Sequence, residues 1–450
     1  MTKITNIPKV FILLILFIVI SKLWISPSSL YMDEIDGANF LKNVFVFFKL
    51  KFLINIYMFK LINSILSFVN LILFYLITKN TIKDEVSAIL STCFLALQPL
   101  NLLFGKEITF HNFELIVLQI AALIGLKSIN NDKPYYLALV GVLVGSIYNG
   151  GNYYIAVNCM FMSFAFYTKK RINALYYYIP FFIVFVLVTM NLDYSLVKSL
   201  YPKMSFSSEG YISILKSTFE MLIIPFIMLY LIYEKRYQFE IGGKNFLNLF
   251  IGFIPLLFLL LFKDITFINL AINIAIMFIA IYAGAYIKYS YSLNKNYKLA
   301  IIVFLFSNLA FANYINYYQT EHKPILNTFV SAISQNIGAE DLGTRVASDN
   351  IVLAKFATKV KAEFSCIEIN KKHNCKNQDC KEASNDKIIS QYYDYIVFSA
   401  NMNEDDEVTL RRESVINNYR LIYQETITAN QVKTNTPVRK YLIYKALRLM

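Results

Sequence analysis

From Tyr57 to Thr78 the chain reads YMFKLINSILSFVNLILFYLIT, with Lys60 its one charged residue. An α-helix rises about 1.5 Å per residue, so roughly 20 apolar residues cross the hydrocarbon of a bilayer. The run contains no Pro or Gly to interrupt it. It predicts a transmembrane helix. Runs of the same kind, bounded by charge or turn signals, recur at 8–26, 86–104, 112–128, 134–149, 152–168, 172–190, 211–233, 246–262, 265–287 and 299–318. Two of them flank Asn149-Gly150-Gly151-Asn152 and read as a pair of spans joined by a tight turn. The count is about eleven transmembrane helices.

Composition agrees with that pattern. The chain has 450 residues, of which 57% are hydrophobic, 16% aromatic and 16% charged, with a mean hydropathy of +0.48. Soluble domains carry about 25% charged residues. The shortfall excludes an ordinary soluble enzyme, the hydrophobicity excludes disorder, and five Cys exclude a disulfide scaffold. Charge is unevenly spread: 39 charged residues fall in 1–318 and 34 in the much shorter 319–450. The expected organisation is therefore a polytopic α-helical membrane module, 1–318, followed by a small soluble α/β domain, 319–450.

Orientation follows from the basic residues in short loops. With the N-terminus cytoplasmic, the inner segments hold Lys3, Lys9, Lys79, Lys83, Lys127, Lys133, Lys169, Lys170, Arg171, Lys235, Arg236, Lys244, Lys288, Lys295 and Lys298. The opposite loops hold about half as many over more residues. Eleven spans then export the C-terminal domain, and the expected location is the cell (inner) membrane, multi-pass. The first run ends in Ser21-Lys22-Leu23-Trp24-Ile25-Ser26-Pro27 with no small-x-small cleavage site, so it reads as a retained signal anchor. Positive-inside loops account for most of the net charge of +13. The basic residues are scattered and form no single face, so no nucleic-acid partner is expected.

Acids are scarce in 1–318, and most gather on the expected outer side. Tyr31-Met32-Asp33-Glu34-Ile35-Asp36-Gly37 puts three carboxylates within four residues at a membrane exit. The stretch 40–52 that follows is rich in Phe and Leu, with Lys42, Lys49 and Lys51 interspersed, and predicts an interfacial helix lying along the bilayer. A second cluster is Gly105-Lys106-Glu107-Ile108-Thr109-Phe110-His111-Asn112-Phe113-Glu114. Glu107, His111 and Glu114 share one face of a helix that begins near Glu107, and a polar stripe on a membrane helix must face protein or a water-filled cavity. These residue types also ligate metals, but the spacing is common and the remaining ligands are unidentified. No metal and no cofactor are therefore assigned.

The order of a span, Asp33-Glu34, an interfacial helix, a second span and an outer turn from Pro99 to His111 resembles the GT-C superfamily of membrane glycosyltransferases. It is similar to the protein mannosyltransferase and lipid A aminoarabinose transferase type. In those enzymes an acidic Asp-Glu pair lies in the first outer loop, and a Ser-Arg-Glu-x-Arg-x-Tyr-like stretch enters the fourth helix. Asp33 and Glu34 match the acidic pair, and Lys106 and Glu107 the basic-acidic pair. Thr109 stands where the family has its second Arg, and His111 where it has Tyr. The resemblance implies a polyprenyl-phosphate-linked sugar donor, a glycan, glycolipid or protein acceptor at the cell envelope, and inversion at the anomeric carbon. An acceptor hydroxyl needs a general base, and Asp33 is the expected one. Glu34 and Glu107 complete the expected catalytic set. Asp36, Lys106, His111, Glu114, Lys203 and Lys263 are the expected substrate-binding residues, the lysines because a lipid-phosphate leaving group needs cations. Arg171 and Arg236, the two arginines of 1–318, both map to the inner side.

The C-terminal 132 residues read as helix at 327–337, strand at 345–348, helix at 352–361, strand at 364–369, strand at 395–399, helix at 407–418, and an antiparallel strand pair at 419–426 and 439–445. That order predicts a three-layer α/β domain with a partly parallel sheet. No Gly-rich phosphate loop follows a strand, which argues against dinucleotide binding. Asp349 reads as a turn or N-cap residue in preference to a ligand. Lys371 to Asp386 reads as a polar loop. A Cys375–Cys380 or a Cys366–Cys375 disulfide suits an exported domain, whereas zinc with His373 has poor spacing. The alternative functions are a transporter or flippase of lipid-linked glycans, and a scaffold with incidental carboxylates. No internal repeat supports the transporter, and the acids lie on one face instead of at mid-membrane.

Overall fold

The computed structural model describes residues 56–106, 111–131, 135–147, 174–191, 222–234, 268–293, 327–337, 343–358, 362–367, 381–399, 412–427 and 439–449. It also describes Ala38, Leu41, Lys42, Phe45, Ile108, Lys133 and Ala310. The spans read at 8–26, 152–168 and 246–262, the turn Asn149–Asn152, and all but Ala310 of the span at 299–318 lie outside the described residues. The chain divides into two compact units. One comprises 1–27, 60–197 and 206–317; the other comprises 28–59, 198–205 and 318–450.

The opening run forms one helix, α1 (Ile56–Ile82), which belongs to the first unit from Lys60 onward. Asp84 then caps α2 (Glu85–Ala96), its carboxylate accepting the Ser87 N–H at 2.8 Å. The run read as one span at 86–104 is two helices. Leu97 and Gln98 close α2 by donating to Cys93 and Leu95 carbonyls, and Pro99 opens α3 (Pro99–Lys106). A proline costs nothing at a first helical position, where its missing N–H would have no partner anyway. After α3 come α4 (His111–Asn131), α5 (Tyr136–Ile147), α6 (Ala174–Asn191), α7 (Leu222–Glu234) and α8 (Ile268–Leu293). Among the described residues two helical stretches are long and apolar enough to cross a membrane by length and composition, Ile56–Ile82 and Ile272–Ser290.

Small residues bring these helices close. Ser91 Oγ donates to the Ile281 carbonyl at 2.9 Å and accepts the Gly284 N–H at 3.2 Å, so α2 and α8 meet backbone to backbone. A Cβ on Gly284 would overlap the Ser87 carbonyl oxygen and Ser91 Oγ. At the other end of this antiparallel pair Lys288 bonds Asp84 at 2.9 Å. Gly141 and Gly145, four apart on α5, lie against the backbone of Tyr177 and Phe181 on α6. Tight crossings at small residues are how helices associate where burial from water supplies no driving force.

Along α1 polar side chains are buried beside Leu71, Phe74 and Ile77, while other apolar side chains face outward. On α1 the side chains of Lys60, Asn63, Ser64, Ser67 and Asn70 are buried while Tyr57, Leu61, Ile65, Ile72 and Leu76 are exposed. On α6 the exposed side chains are Leu175, Tyr176, Ile179, Phe182, Ile183, Val186 and Leu187. In water such contiguous apolar faces mark an interaction surface. In hydrocarbon they are the solvated surface.

The second unit carries the soluble-domain pattern. A helix α9 (Asn327–Asn336) precedes β1 (Arg345–Ser348), α10 (Ile351–Ala357), β2 (Glu363–Cys366), β3 (Lys381–Glu382), α11 (Asn385–Ile389), β4 (Tyr395–Phe398), α12 (Arg412–Asn418), β5 (Tyr419–Ile427) and β6 (Arg439–Ala446). One six-stranded sheet runs in the order β3-β2-β1-β4-β6-β5. The first four strands are parallel; β6 pairs antiparallel with β4 and with β5. The expected partly parallel sheet and antiparallel final pair are present. The polar stretch read as a loop to Asp386 instead contains β3 and the start of α11. Ala347, Ile367, Ile388, Tyr393, Ile396, Phe398 and Leu442 fill the core between sheet and helices.

Candidate active site

The polar stripe of α1 arises from spacing. Lys60, Asn63, Ser67 and Asn70 recur every three or four residues and so occupy one helix face. That face meets the region singled out by the second acidic cluster. Ser64 Oγ donates to the Gly105 carbonyl at 3.2 Å. Asn70 Nδ2 donates to the Asn112 carbonyl at 3.1 Å and to its Oδ1 at 3.2 Å, and Asn112 Nδ2 donates to Asn63 Oδ1 at 2.9 Å. The result ties the start of α4 to the first half of α1. Glu114, one turn into α4, is 1% exposed, and Lys60 is 8% exposed. A buried acid and a buried base inside a helical module with an apolar exterior are costly, which makes Glu114 and Lys60 candidates for binding or chemistry.

The expected site residues divide as follows. Glu114 is helical and buried. Lys106 ends α3 and His111 opens α4, so their backbones are placed on either side of residues 107–110. Asp33, Glu34, Asp36, Glu107, Lys203 and Lys263 lie outside the described residues. Lys60, Asn63, Ser67, Asn70 and Asn112 are additions to the expected set. The three- and four-residue spacing of polar residues inside the run 57–78 was the available signal. Among the described residues no three His, Cys, Asp or Glu side chains come together as a metal-binding group.

The stretch expected to lie along the bilayer, with Ala38 just before it, is described at four positions, which bear on one of its faces. Ala38, Leu41, Lys42 and Phe45 are helical, fall on one face, and belong to the second unit. Ala38, Leu41 and Phe45 are buried there. Phe45 stacks on Phe59 at 5.8 Å between ring centroids, and Phe59 contacts Phe356 of α10 at 6.4 Å. Lys42 Nζ donates to the carbonyls of Lys355, Phe356 and Thr358 at 3.0, 2.7 and 3.3 Å. Burial pushes its amine down to about 8, which leaves it protonated at neutral pH.

Asp349 follows β1 and Ser399 follows β4, at the point where the strand order reverses. Such a point is where open α/β sheets usually hold ligands. Here both Asp349 carboxylate oxygens accept the Ser399 N–H, at 2.9 and 3.0 Å, and its hydroxyl at 3.3 Å. Burial raises Asp349 to about 6 against these hydrogen bonds. The residue staples two strand ends, and the N-cap of α10 is Asn350, which accepts the Leu353 N–H at 3.0 Å. Cys366 is disulfide-bonded; Cys375, Cys380 and His373 lie outside the described residues. Cys93 is buried in α2 and forms no disulfide.

No protein-family model matches the chain, and no curated protein does. Among the solved structures similar to it are two that match over 98% of both chains at 9% identity. They are ArnT from Cupriavidus metallidurans bound to undecaprenyl phosphate, with a TM-score of 0.47, and the same protein in the apo state, with 0.45. Both scores fall below 0.5, so the likeness assigns neither fold nor activity to this chain.

Proposed function

We propose that the chain is an integral-membrane glycosyltransferase that moves a sugar from a polyprenyl-phosphate donor to an acceptor hydroxyl on the extracytoplasmic side. The observation that carries the reading is the buried polar face of α1, with Lys60 near its N-terminal end and Asn112 and Glu114 of α4 packed in the same unit. A lipid-linked substrate reaches its enzyme from within the bilayer, and its phosphate leaves with negative charge. A cation held in a low-dielectric interior stabilises that charge more strongly than one in water. Lys60 supplies it, joined by Lys106 at the outer turn. Asp33 acts as general base on the acceptor hydroxyl, Glu34 orients the acceptor, and Glu107, His111 and Glu114 hold the sugar. Direct displacement by the hydroxyl inverts the anomeric carbon. The Cys366 disulfide suits an exported C-terminal domain, because disulfides persist in oxidising compartments.

The test is Asp33→Asn in purified protein supplied with a polyprenyl-phosphate sugar and an envelope extract. General-base catalysis contributes about 10²–10⁴-fold, so transfer should fall by at least that lower figure. Transfer at the parental rate removes Asp33 from the base role. A parent that transfers nothing but carries lipid-linked glycan across vesicles makes the chain a flippase.

A further inference from the structure

Lys42 makes three hydrogen bonds to main-chain carbonyls more than three hundred positions away. Its acceptors cluster where α10 ends. The last carbonyls of a helix have no intrahelical donor and carry the negative end of the helix dipole. An ammonium has three N–H groups, one for each of the three carbonyls. The Nζ also lies 5.7 Å from the centre of the Phe356 ring, a cation over an aromatic face. Around this contact the packing is apolar: Ala38, Leu41 and Phe45 are buried on the Lys42 face, and Phe45, Phe59 and Phe356 form a continuous run of rings. An interfacial lysine that snorkels to lipid headgroups would show neither its three protein acceptors nor its buried neighbours.

The place of Lys42 in the sequence gives the contact a consequence. It lies six residues after Asp36 and nine after Asp33. We propose that Lys42 is a positioning residue, whose clamp on the C-terminal end of α10 fixes the helix that follows the Asp33-Glu34-Asp36 acids to the soluble domain. On that view the domain sets where the acids stand. The positioning role rests on the reading of the acids given under Proposed function; the clamp does not.

The experiment uses the full chain in lipid nanodiscs with Lys42→Met, which keeps the length and loses the charge, and Lys42→Arg, which keeps the charge. Hydrogen–deuterium exchange is followed in peptides covering 38–45 and 351–358. Exchange in both should quicken tenfold or more in Lys42→Met and return to within threefold of the parent in Lys42→Arg. In sugar-transfer assays kcat should drop about tenfold in Lys42→Met with the KM for the lipid donor changed less than twofold, and Lys42→Arg should restore most of it. Unchanged exchange in Lys42→Met overturns the clamp. Faster exchange with an unchanged kcat, or a loss confined to KM, overturns the positioning role. A parent that transfers no sugar sinks the proposed function and the positioning role with it, while the exchange data still decide the clamp.

Discussion

Replacing Gly284 by Ala sets two effects of opposite sign against each other. Alanine is the better helix former by about 1 kcal/mol, so on an exposed helix the change would stabilise. At position 284 the new methyl meets the Ser87 carbonyl and the Ser91 side chain and amide, and two of those three contacts are main chain. Backbone cannot swing aside, so α8 and α2 must separate. Overpacking of this kind costs about 1–3 kcal/mol. Separation also breaks the Ser91 bonds to Ile281 and Gly284, and interhelical hydrogen bonds in membranes average about 0.6 kcal/mol each. The steric cost is at its upper end here, because the overlap is with main chain, and the net loss comes to about 2–3 kcal/mol. It should appear as reduced stability in reversible denaturation in mixed micelles, with Ser91→Ala and Gly284→Ala strongly non-additive. A Gly284→Ala protein as stable as the parent, or one stabilised by the helix-propensity gain, would refute the close α2–α8 crossing.

Other consequences are as specific. Burial moves Asp349 from its ordinary 3.8 to about 6, so between those values the folded domain holds a proton the unfolded chain has released. This contribution to stability is complete below 3.8 and is lost as pH rises through 6; two pKa units correspond to about 3 kcal/mol. Chemical denaturation at pH 4 and pH 7.5 should show the parent losing up to that amount relative to Asp349→Asn, and parallel pH profiles would contradict it. Lys60→Met should lower kcat/KM by about 10²-fold or more while the protein still folds, since a buried lysine tolerates an apolar replacement of similar length. Steady-state transfer assays check this, and a change under threefold would remove Lys60 from the site.

Much of the architecture could be read from local pattern, and the exceptions have physical causes. The run 57–78 and the strands Arg345–Ser348, Tyr419–Ile427 and Arg439–Ala446 carry their own periodicity. The break in 86–104 was hidden because apolar residues continue through Leu97 and Leu100, and a two-residue turn leaves no gap in hydropathy. The edge strand Lys381–Glu382 is short and polar, and its parallel pairing with Ser365 and Cys366 is a non-local property. The α1 stripe was present in the spacing of Lys60, Asn63, Ser67 and Asn70, but its burial depended on which helix packed there. Lys42 was invisible as a clamp for a different reason. Helix capping is usually sought within a few residues of the helix, and this cap comes from a segment 313 to 316 positions away.

The central claim is the transfer of sugar from a lipid phosphate at the membrane. It is tested most directly by mass spectrometry of the lipids after purified protein is mixed with polyprenyl-phosphate sugar and envelope acceptor in nanodiscs. Free polyprenyl phosphate and glycosylated acceptor are expected in equal amounts, with both formed at least about 10²-fold more slowly by Asp33→Asn. Intact donor with no glycosylated acceptor, across a panel of sugar donors and envelope fractions, would contradict it.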